Sequence, residues 1–305
     1  MYNIFAFYIL SPIKDPSLKV LLWKDFLHSI RALGRIYISA QGINAQLSIH
    51  SDYKEKFINW LGKDHCIKSL DIKIAPYKCH CFPRLTVKYK KQLVALDTLP
   101  GTTQKAQHLA PSDWERMLRN RREDTFLLDV RNAYEWKVGH FEGANKPSCK
   151  SFRDFPKYFN QLSEKMDKKN TKIMMYCTGG IRCEIFSSFV IDKGYTNVYQ
   201  LSGGVIKYGH KCGNKHWKGN LFVFDDRLVV PLDSGSKPIS RCHFCSKTID
   251  THYNCSNMDC NKLFISCLDC LKDMQGTCST PCSTSKRVRD PCYNIPPTPF
   301  RRIKK

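Results

Sequence analysis

The loop around Cys177 constrains the fold of this chain more than any other stretch. Residues 171–176 are apolar and rich in β-formers, which predicts a buried strand, whereas residues 183–193 carry apolar residues at helical spacing. Cys177 therefore lies where a strand ends, and Gly179 and Gly180 allow a positive φ before the helix begins. Because open α/β sheets bind ligands at the carboxyl ends of their strands, the loop predicts a site there.

The residues of this loop also predict a reactive thiolate. The predicted active-site loop comprises Cys177, Thr178, Gly179, Gly180, Ile181 and Arg182. Converging backbone N–H groups, the positive end of the following helix and the charge of Arg182 all favour the thiolate. We therefore predict that Cys177 is a catalytic nucleophile with a lowered pKa. The alternative is that Cys177 is a buried, inert cysteine. In that case the strand, the two glycines, the arginine and the start of the helix would coincide by chance.

Cys183 is a second cysteine, one turn into the predicted helix. We expect it to face the core, as most such cysteines do. The alternative is that it resolves a persulfide or sulfenate formed on Cys177.

Alternating strand and helix patterns over residues 106–220 predict a small parallel sheet around this loop. Asp129 and Arg131 follow one of the strand patterns, and we expect them to hold loops together as an ion pair rather than to act in chemistry. We expect the same supporting role for Glu135 and His140.

Charge and cysteine content restrict the function. The chain has 305 residues, 16 cysteines and a formal net charge of +22. Such an excess favours a nucleic-acid partner, with a membrane surface or a merely basic, solvated exterior as alternatives. No stretch approaches the roughly 20 apolar residues of a membrane span, and residues 1–10 lack a signal peptide's basic leader. We therefore expect a cytoplasmic protein whose clustered cysteines bind metal or perform thiol chemistry.

The N-terminal residues 1–95 carry the pattern of a separate domain. Its strand and helix patterns follow in the order βαββαβ, at residues 2–10, 15–32, 35–39, 43–49, 51–61 and 70–75. This order predicts a ferredoxin-like sandwich. Gln41, Asn44 and Gln46 surround the turn between the second and third strands, where we expect them to satisfy turn backbone; reading of a base edge is the alternative.

Two basic stretches are candidates for RNA contact. Arg84, Lys88 and Lys90 alternate with apolar residues, so they point to one side of a predicted strand. That side is either a phosphate-contacting face or a solvated one. The tail at residues 286–305 is basic and proline-rich, which predicts disorder and nonspecific RNA contact.

Residues 221–285 carry eight cysteines with the spacing of metal ligands. They are Cys242, Cys245, Cys255, Cys260, Cys267, Cys270, Cys278 and Cys282. The two C-x-x-C pairs supply the four ligands of a tetrahedral zinc site, and the other four can fill a second site or exchange partners. His243 and His252 are reserve ligands. Because so small a segment has little apolar core, we expect structural zinc to supply folding free energy; an iron–sulfur cluster would need other spacings.

Nearly the whole chain, from about residue 5 to about residue 285, resembles the rhodanese-domain tRNA uridine 5-hydroxylases, the UPF0176-type proteins. The resemblance is carried by residues 34–46, 139–142, 176–184 and 222–227 and by the cysteine-rich segment. The six-residue loop from Cys177 to Arg182 has the length seen in sulfur-handling rhodaneses. The resemblance to this family implies oxygen-dependent formation of 5-hydroxyuridine at wobble position 34 of tRNA. It also implies that Cys177 is essential and passes through a persulfide.

The predicted protein is thus an α/β oxidoreductase of several parts. These are a ferredoxin-like βαββαβ domain (residues 1–95), a rhodanese domain (106–220), a zinc-binding segment (221–285) and a basic tail (286–305). The implied partner is the anticodon loop of tRNA, and we expect the protein to bind neither a membrane nor DNA. The implied co-substrate is molecular oxygen. No motif identifies the reductant. A rhodanese-type sulfurtransferase and a noncatalytic, zinc-dependent RNA-binding protein are the alternatives.

Overall fold

The computed structural model describes residues 1–64, 71–96, 102, 104–149 and 151–290. Its N-terminal part is a sheet with strands β1 (Tyr2–Ile9), β2 (Leu33–Ser39), β3 (Gly42–His50), β4 (Lys73–Tyr77) and β5 (Leu85–Tyr89), packed against helices α1 (Pro16–Ser29) and α2 (Lys54–Gly62). The strand order is β4-β1-β3-β2-β5. The first four strands pair antiparallel, and β5 joins β2 in parallel as an added edge. The ferredoxin-like βαββαβ arrangement is confirmed.

The sequence determines where helix α1 begins and which of its faces packs on this sheet. Asp15 caps its first turn by accepting the N–H groups of Ser17 and Leu18, and Pro16 occupies the first helical position. Its buried stripe contains Trp23, which is 1% exposed. Leu21 lies off this stripe and is 58% exposed.

The two faces of the N-terminal sheet differ in chemistry. One face is apolar and packs on the helices, with Phe5, Phe7, Ile36, Ile38, Ala45 and Leu47 all buried. Because side chains alternate along a strand, the intervening residues lie on the other face. That face carries Tyr8, Arg35, Tyr37, Asn44 and Gln46, and it lies toward the second domain.

The central part contains the parallel sheet that the alternating patterns predicted. Its strands are β6 (Gln107–Leu109), β7 (Thr125–Asp129), β9 (Lys172–Tyr176) and β10 (Val198–Leu201), and β8 (Gly139–Phe141) lies outside it. The order β6-β10-β9-β7 places β9 in the middle. The helices are α3 (Pro111–Arg119), α4 (Ala133–Val138), α5 (Phe155–Leu162), α6 (Ile181–Asp192) and α7 (Gly204–Cys212). Cys177 therefore follows the central strand directly, and α6 begins four residues later at Ile181.

The C-terminal part consists of short elements. Strands β11 (Trp217–Gly219), β12 (Leu221–Phe222), β13 (Val229–Val230), β14 (His252–Asn254) and β15 (Leu263–Ile265) precede helices α8 (Leu268–Asp273) and α9 (Thr280–Ser283). Asp226 N–H donates to the Cys81 carbonyl at 2.8 Å, and Ser240 Oγ donates to the Lys137 carbonyl at 2.6 Å. The segment is thus bonded to both preceding parts. From residue 291 onward, the predicted basic tail lies outside the described residues.

Within the described residues, no helix has both the length and the apolar character needed to cross a lipid bilayer.

Candidate active site and metal centres

Cys177 lines a cavity between the central sheet and the N-terminal sheet. The cavity has a volume of about 290 Å³, and Thr178, Gly179, Ile181 and Arg182 of the predicted loop line it with Cys177. The opposite wall consists of residues from the polar face of the N-terminal sheet, namely Tyr8, Arg35, Tyr37, Asn44, Gln46 and Lys73. The site is therefore shared between two domains that the sequence patterns had separated.

Of the two loop glycines, Gly180 adopts the positive φ that the sequence predicted, and Gly179 does not. Gly180 has a φ of 105° and donates its N–H to the Cys177 sulfur at 3.1 Å. A side chain at this position would also meet Tyr8, whose hydroxyl oxygen lies 3.0 Å from the place of a Cβ. Glycine is thus required at position 180 both by conformation and by close approach.

The environment of Cys177 favours its thiolate. The residue is only 1% exposed, and burial alone raises the pKa of its thiol. Contacts with Cys183, the charge of Arg182 and the Gly180 N–H outweigh burial and lower the pKa of Cys177 to about 5. Burial and the neighbouring Cys177 sulfur raise the pKa of Cys183, so that thiol stays protonated. Cys183 is fully buried, as expected, and also supports the thiolate.

Arg182 acts on the Cys177 sulfur, as the sequence predicted, and it is also paired with a buried carboxylate that the sequence did not connect to it. Its guanidinium donates to both carboxylate oxygens of Glu135, at 2.6 and 2.7 Å. Burial raises the pKa of Glu135, but the Arg182 charge outweighs it and lowers that pKa. Thr178 Oγ1 donates to the same carboxylate at 3.1 Å. Glu135 therefore fixes the orientation of two loop residues and offsets a buried charge.

Asp129 and Arg131 form a buried ion pair, as the sequence analysis expected. Arg131 Nη2 lies 2.6 Å from Asp129 Oδ2, and neither side chain is exposed. The Tyr176 hydroxyl donates to the same carboxylate at 2.7 Å, and Arg131 donates to the Gly139 carbonyl at 2.6 Å. The pair thus holds the last residue of β9 in place, and neither member lines the cavity.

The ring of His140 stacks on Trp136 at a centroid distance of 3.7 Å, and its Nδ1 lies 2.9 Å from the Trp136 carbonyl. The histidine is not among the cavity-lining residues. Its contacts fit the supporting role predicted from the sequence.

The three basic candidates for RNA contact are exposed on or beside the edge strand β5. They are Arg84, Lys88 and Lys90. Lys88 pairs with Tyr37 in register, and Lys90 Nζ lies 5.3 Å from the centre of the Tyr37 ring. Because Tyr37 lines the cavity, Lys88 and Lys90 lie close to it, whereas Arg84 lies further along the edge, where its carbonyl accepts the Gly34 N–H.

The structure brings the eight C-terminal cysteines together in two groups of four. One group is Cys242, Cys245, Cys267 and Cys270, and the other is Cys255, Cys260, Cys278 and Cys282. Within each group the sulfur atoms lie within 4.8 Å of one another. The two C-x-x-C pairs therefore share one group, which is the pairing that the sequence favoured. Neither His243 nor His252 belongs to a group.

The geometry of both groups fits a tetrahedral metal ion. Sulfur–sulfur distances are 3.7 Å for Cys245–Cys267 and for Cys260–Cys278. A tetrahedron with metal–sulfur bonds of about 2.3 Å has edges of about 3.8 Å. The N–H of Cys267 points to the Cys242 sulfur at 3.4 Å, a contact that stabilises a thiolate ligand. Each group can therefore hold one metal ion.

Several cavity residues were missed or misassigned by sequence reasoning. Tyr8, Arg35, Tyr37 and Lys73 were not singled out. The first three each occupy a strand position between buried neighbours, and Lys73 lies between the half-buried Ile72 and Ile74. The alternation of apolar and polar residues marked them as one face. What the pattern lacked was any sign that another domain covers that face.

Known protein families match the three parts of the chain. The family described as UPF0176 acylphosphatase like domain matches residues 2–93, and the rhodanese-like domain family matches residues 111–211. A third family, described as rhodanase C-terminal, matches residues 218–283.

Similar proteins match over the full length. A protein of Chlamydia caviae named tRNA uridine(34) hydroxylase is 45% identical, with 99% of this chain and 92% of that protein covered. One of the same name from Chlamydia trachomatis serovar D is 43% identical, with the same shares covered. Among solved structures, a single-domain sulfurtransferase of Saccharomyces cerevisiae covers 38% of this chain and 98% of its own, at 17% identity and a TM-score of 0.32.

The ionisation of Cys177 can be tested directly. The difference in thiolate ultraviolet absorbance between wild type and Cys177→Ser, followed across pH, is expected to rise with a midpoint near pH 5. The other thiols cancel in this difference. Cys183→Ala is expected to raise the midpoint, because it removes a contact that favours the thiolate. A wild-type midpoint at about 8.5, the value of an ordinary cysteine, would contradict this account of the loop.

Proposed function

The chain belongs to the tRNA uridine(34) hydroxylase family, and from this premise we propose that it forms 5-hydroxyuridine at position 34 of tRNA by an oxygen-dependent reaction. The observation that carries the proposal is the Cys177 sulfur, held as a thiolate at the wall of a cavity large enough for a single nucleoside. Known pockets for small ligands begin at about 300 Å³, and a cavity of about 290 Å³ lies at that lower end, which suits one base and its sugar rather than a larger ligand.

The proposed reaction oxidises the base by two electrons, because C5–H becomes C5–OH. Uridine, O₂, two electrons and two protons give 5-hydroxyuridine and water, so a reductant supplies the electrons. The family resemblance implies a persulfide on Cys177. The Gly180 N–H and the Arg182 charge favour an anionic sulfur at this place, which supports that role.

We propose that the anticodon loop of tRNA reaches the cavity along the basic edge of the N-terminal sheet. Arg84, Lys88 and Lys90 are exposed along this edge, and Lys88 and Lys90 neighbour the cavity residue Tyr37, so the three cations can contact phosphates of the loop. Anticodon bases are single-stranded, so one of them can enter a cavity without the cost of breaking a base pair. A tRNA substrate fits a cytoplasmic location and the net charge of +22.

We also propose that each cysteine group holds structural zinc. All four ligands of each group come from the protein, so a tetrahedral ion would keep no open position for substrate. The bound ion would stabilise a segment that has a small apolar cluster of its own, and it would thereby keep that segment bonded to the other two domains.

The zinc proposal predicts two metal ions per chain. Elemental analysis of the purified protein is expected to find two equivalents of zinc, and Cys267→Ser is expected to lose one of them and lower the midpoint of denaturant unfolding. Cys79→Ser is the matched control, because Cys79 is exposed and lies in neither group. Full zinc content in the Cys267→Ser protein would show that this group does not hold the ion.

The hydroxylase proposal is tested by restoring the modification in cells. In a bacterial strain without its own wobble-uridine hydroxylase, the wild-type chain is expected to restore 5-hydroxyuridine at position 34, measured by nucleoside mass spectrometry. Cys177→Ser is expected to restore none, because serine is not ionised at neutral pH and cannot carry a persulfide. Cys79→Ser should act as wild type. Full restoration by Cys177→Ser would refute the role of this sulfur.

A rhodanese-type sulfurtransferase remains the second candidate, because the same anion-binding loop suits transfer of a persulfide sulfur. Turnover of thiosulfate by the purified protein, with no 5-hydroxyuridine in the restored strain, would favour it over the hydroxylase.

A further inference from the structure

The wall of the cavity opposite Cys177 has a composition that the proposed chemistry does not explain. Register places Tyr8, Asn44 and Tyr37 side by side in one row across strands β1, β3 and β2. The adjacent row contains Gln46 and Arg35. This patch, which we call the amide wall, is centred on the two carboxamides of Asn44 and Gln46, both of which line the cavity.

The carboxamides of Asn44 and Gln46 do not stabilise the fold through hydrogen bonds. They were expected to satisfy the backbone of the nearby turn, but it is Ser39 Oγ that accepts the turn's Gln41 N–H, at 2.9 Å. Among the described residues, no hydrogen bond joins the side chain of Asn44 or Gln46 to another group. Half-buried amides in the middle of a strand, without partners and facing a cavity, point to a polar ligand.

The groups beside the amides favour a ligand with several hydrogen-bond acceptors. Arg35 and Lys73 can only donate, and each amide both donates and accepts. The Lys73 side chain is 6% exposed, and its Nζ lies 5.5 Å from the centre of the Tyr8 ring. Tyr8 is itself positioned by Glu184, whose Oε1 lies 3.4 Å from the hydroxyl. The amide wall thus offers more hydrogen-bond donors than acceptors, and it also presents the aromatic rings of Tyr8 and Tyr37.

Uracil matches this wall better than the other common pyrimidine. Its imide edge presents two carbonyl oxygens on either side of one N–H, whereas cytosine replaces one carbonyl with an amino donor. An amide can donate to a carbonyl and accept from the central N–H at the same time, and the cationic side chains can reach the second carbonyl. On the ring, the imide edge lies opposite C5 and C6. A uracil held by that edge therefore turns C5 toward the loop that carries Cys177.

We propose that Asn44 and Gln46 bind the imide edge of the substrate uracil, and so select uridine and orient its C5 toward Cys177. The inference rests on the proposed function, because it assigns the base-binding part of the same cavity. It makes Asn44 and Gln46 specificity residues of the N-terminal sheet, whereas the groups that most favour the thiolate, Gly180, Arg182 and Cys183, belong to the loop and helix on the other side of the cavity.

The test uses full-length protein with near-isosteric substitutions. Gln46→Glu and Asn44→Asp replace a group that donates with one that only accepts, so each should repel a uracil carbonyl. Binding is measured to anticodon stem-loop RNAs that differ only in having U or C at position 34. Gln161→Glu and Asn160→Asp, on the exposed end of α5, are matched charge controls.

Wild type and both controls are expected to prefer the U34 RNA. Gln46→Glu is expected to weaken binding of that RNA by about tenfold or more and to narrow the preference over C34, since a carboxylate can accept from the cytosine amino group. Gln46→Met removes the hydrogen bonds without adding charge, and is expected to lose the preference while the ionisation of Cys177 stays unchanged.

Hydroxylation in the restored strain separates the possible failures. If wild type forms no 5-hydroxyuridine, the proposed function fails, whatever the variants do. If wild type forms it and both Gln46 variants match Gln161→Glu in hydroxylation and in the U34 preference, only the base-binding inference is overturned. Loss of the preference and of hydroxylation, with a normal Cys177 titration, supports it.

Discussion

The contact on which the site depends is the hydrogen bond from the Gly180 N–H to the Cys177 sulfur. It exists because a buried strand ends at Tyr176 and the loop then turns through a positive φ before α6 begins. Burial opposes a charged sulfur, so the loop must supply compensating partners at the same point. A side chain at Gly180 would strain the turn and meet Tyr8, and the sulfur would then lose its nearest backbone donor.

The charges around this contact are arranged in pairs rather than as a free positive field. Arg182 is bonded to Glu135, and Arg131 is bonded to Asp129. Removing one member of a buried pair leaves the other uncompensated, which typically costs about 3–5 kcal/mol. An Asp-x-Arg pair with the same bonding recurs at Asp225 and Arg227, in the segment that contacts the N-terminal domain. The Glu135–Arg182 pair therefore fixes the Cys177 loop, and the Asp129–Arg131 pair fixes the end of the strand that precedes it.

Sequence reasoning was strongest where the signal is local. The strand, the glycines and the helix start around Cys177 predicted its position and its lowered pKa, and the C-x-x-C pairs predicted the first metal group. Both patterns depend on neighbours within a few residues. The ferredoxin-like order was likewise readable from the alternation of strands and helices.

The missed parts of the site depend on contacts between distant residues. Glu135 was expected to support the loops, but its bond to Arg182 was not predicted, because the two residues are 47 positions apart and no spacing rule connects them. Asn44 and Gln46 were assigned to the nearby turn, because nothing local shows that the sheet face they share closes over Cys177.

The central claim is that C5 of a uracil lies between the amide wall and the Cys177 loop. Photocrosslinking of the full-length protein to an anticodon stem-loop with 5-iodouridine at position 34 tests it most directly, because the bond forms from C5 itself. Peptide mapping is predicted to find the crosslink on the peptide that contains Cys177 to Arg182, with none when 5-iodouridine is placed in the stem. Crosslinks confined to the C-terminal cysteine-rich segment would contradict the account.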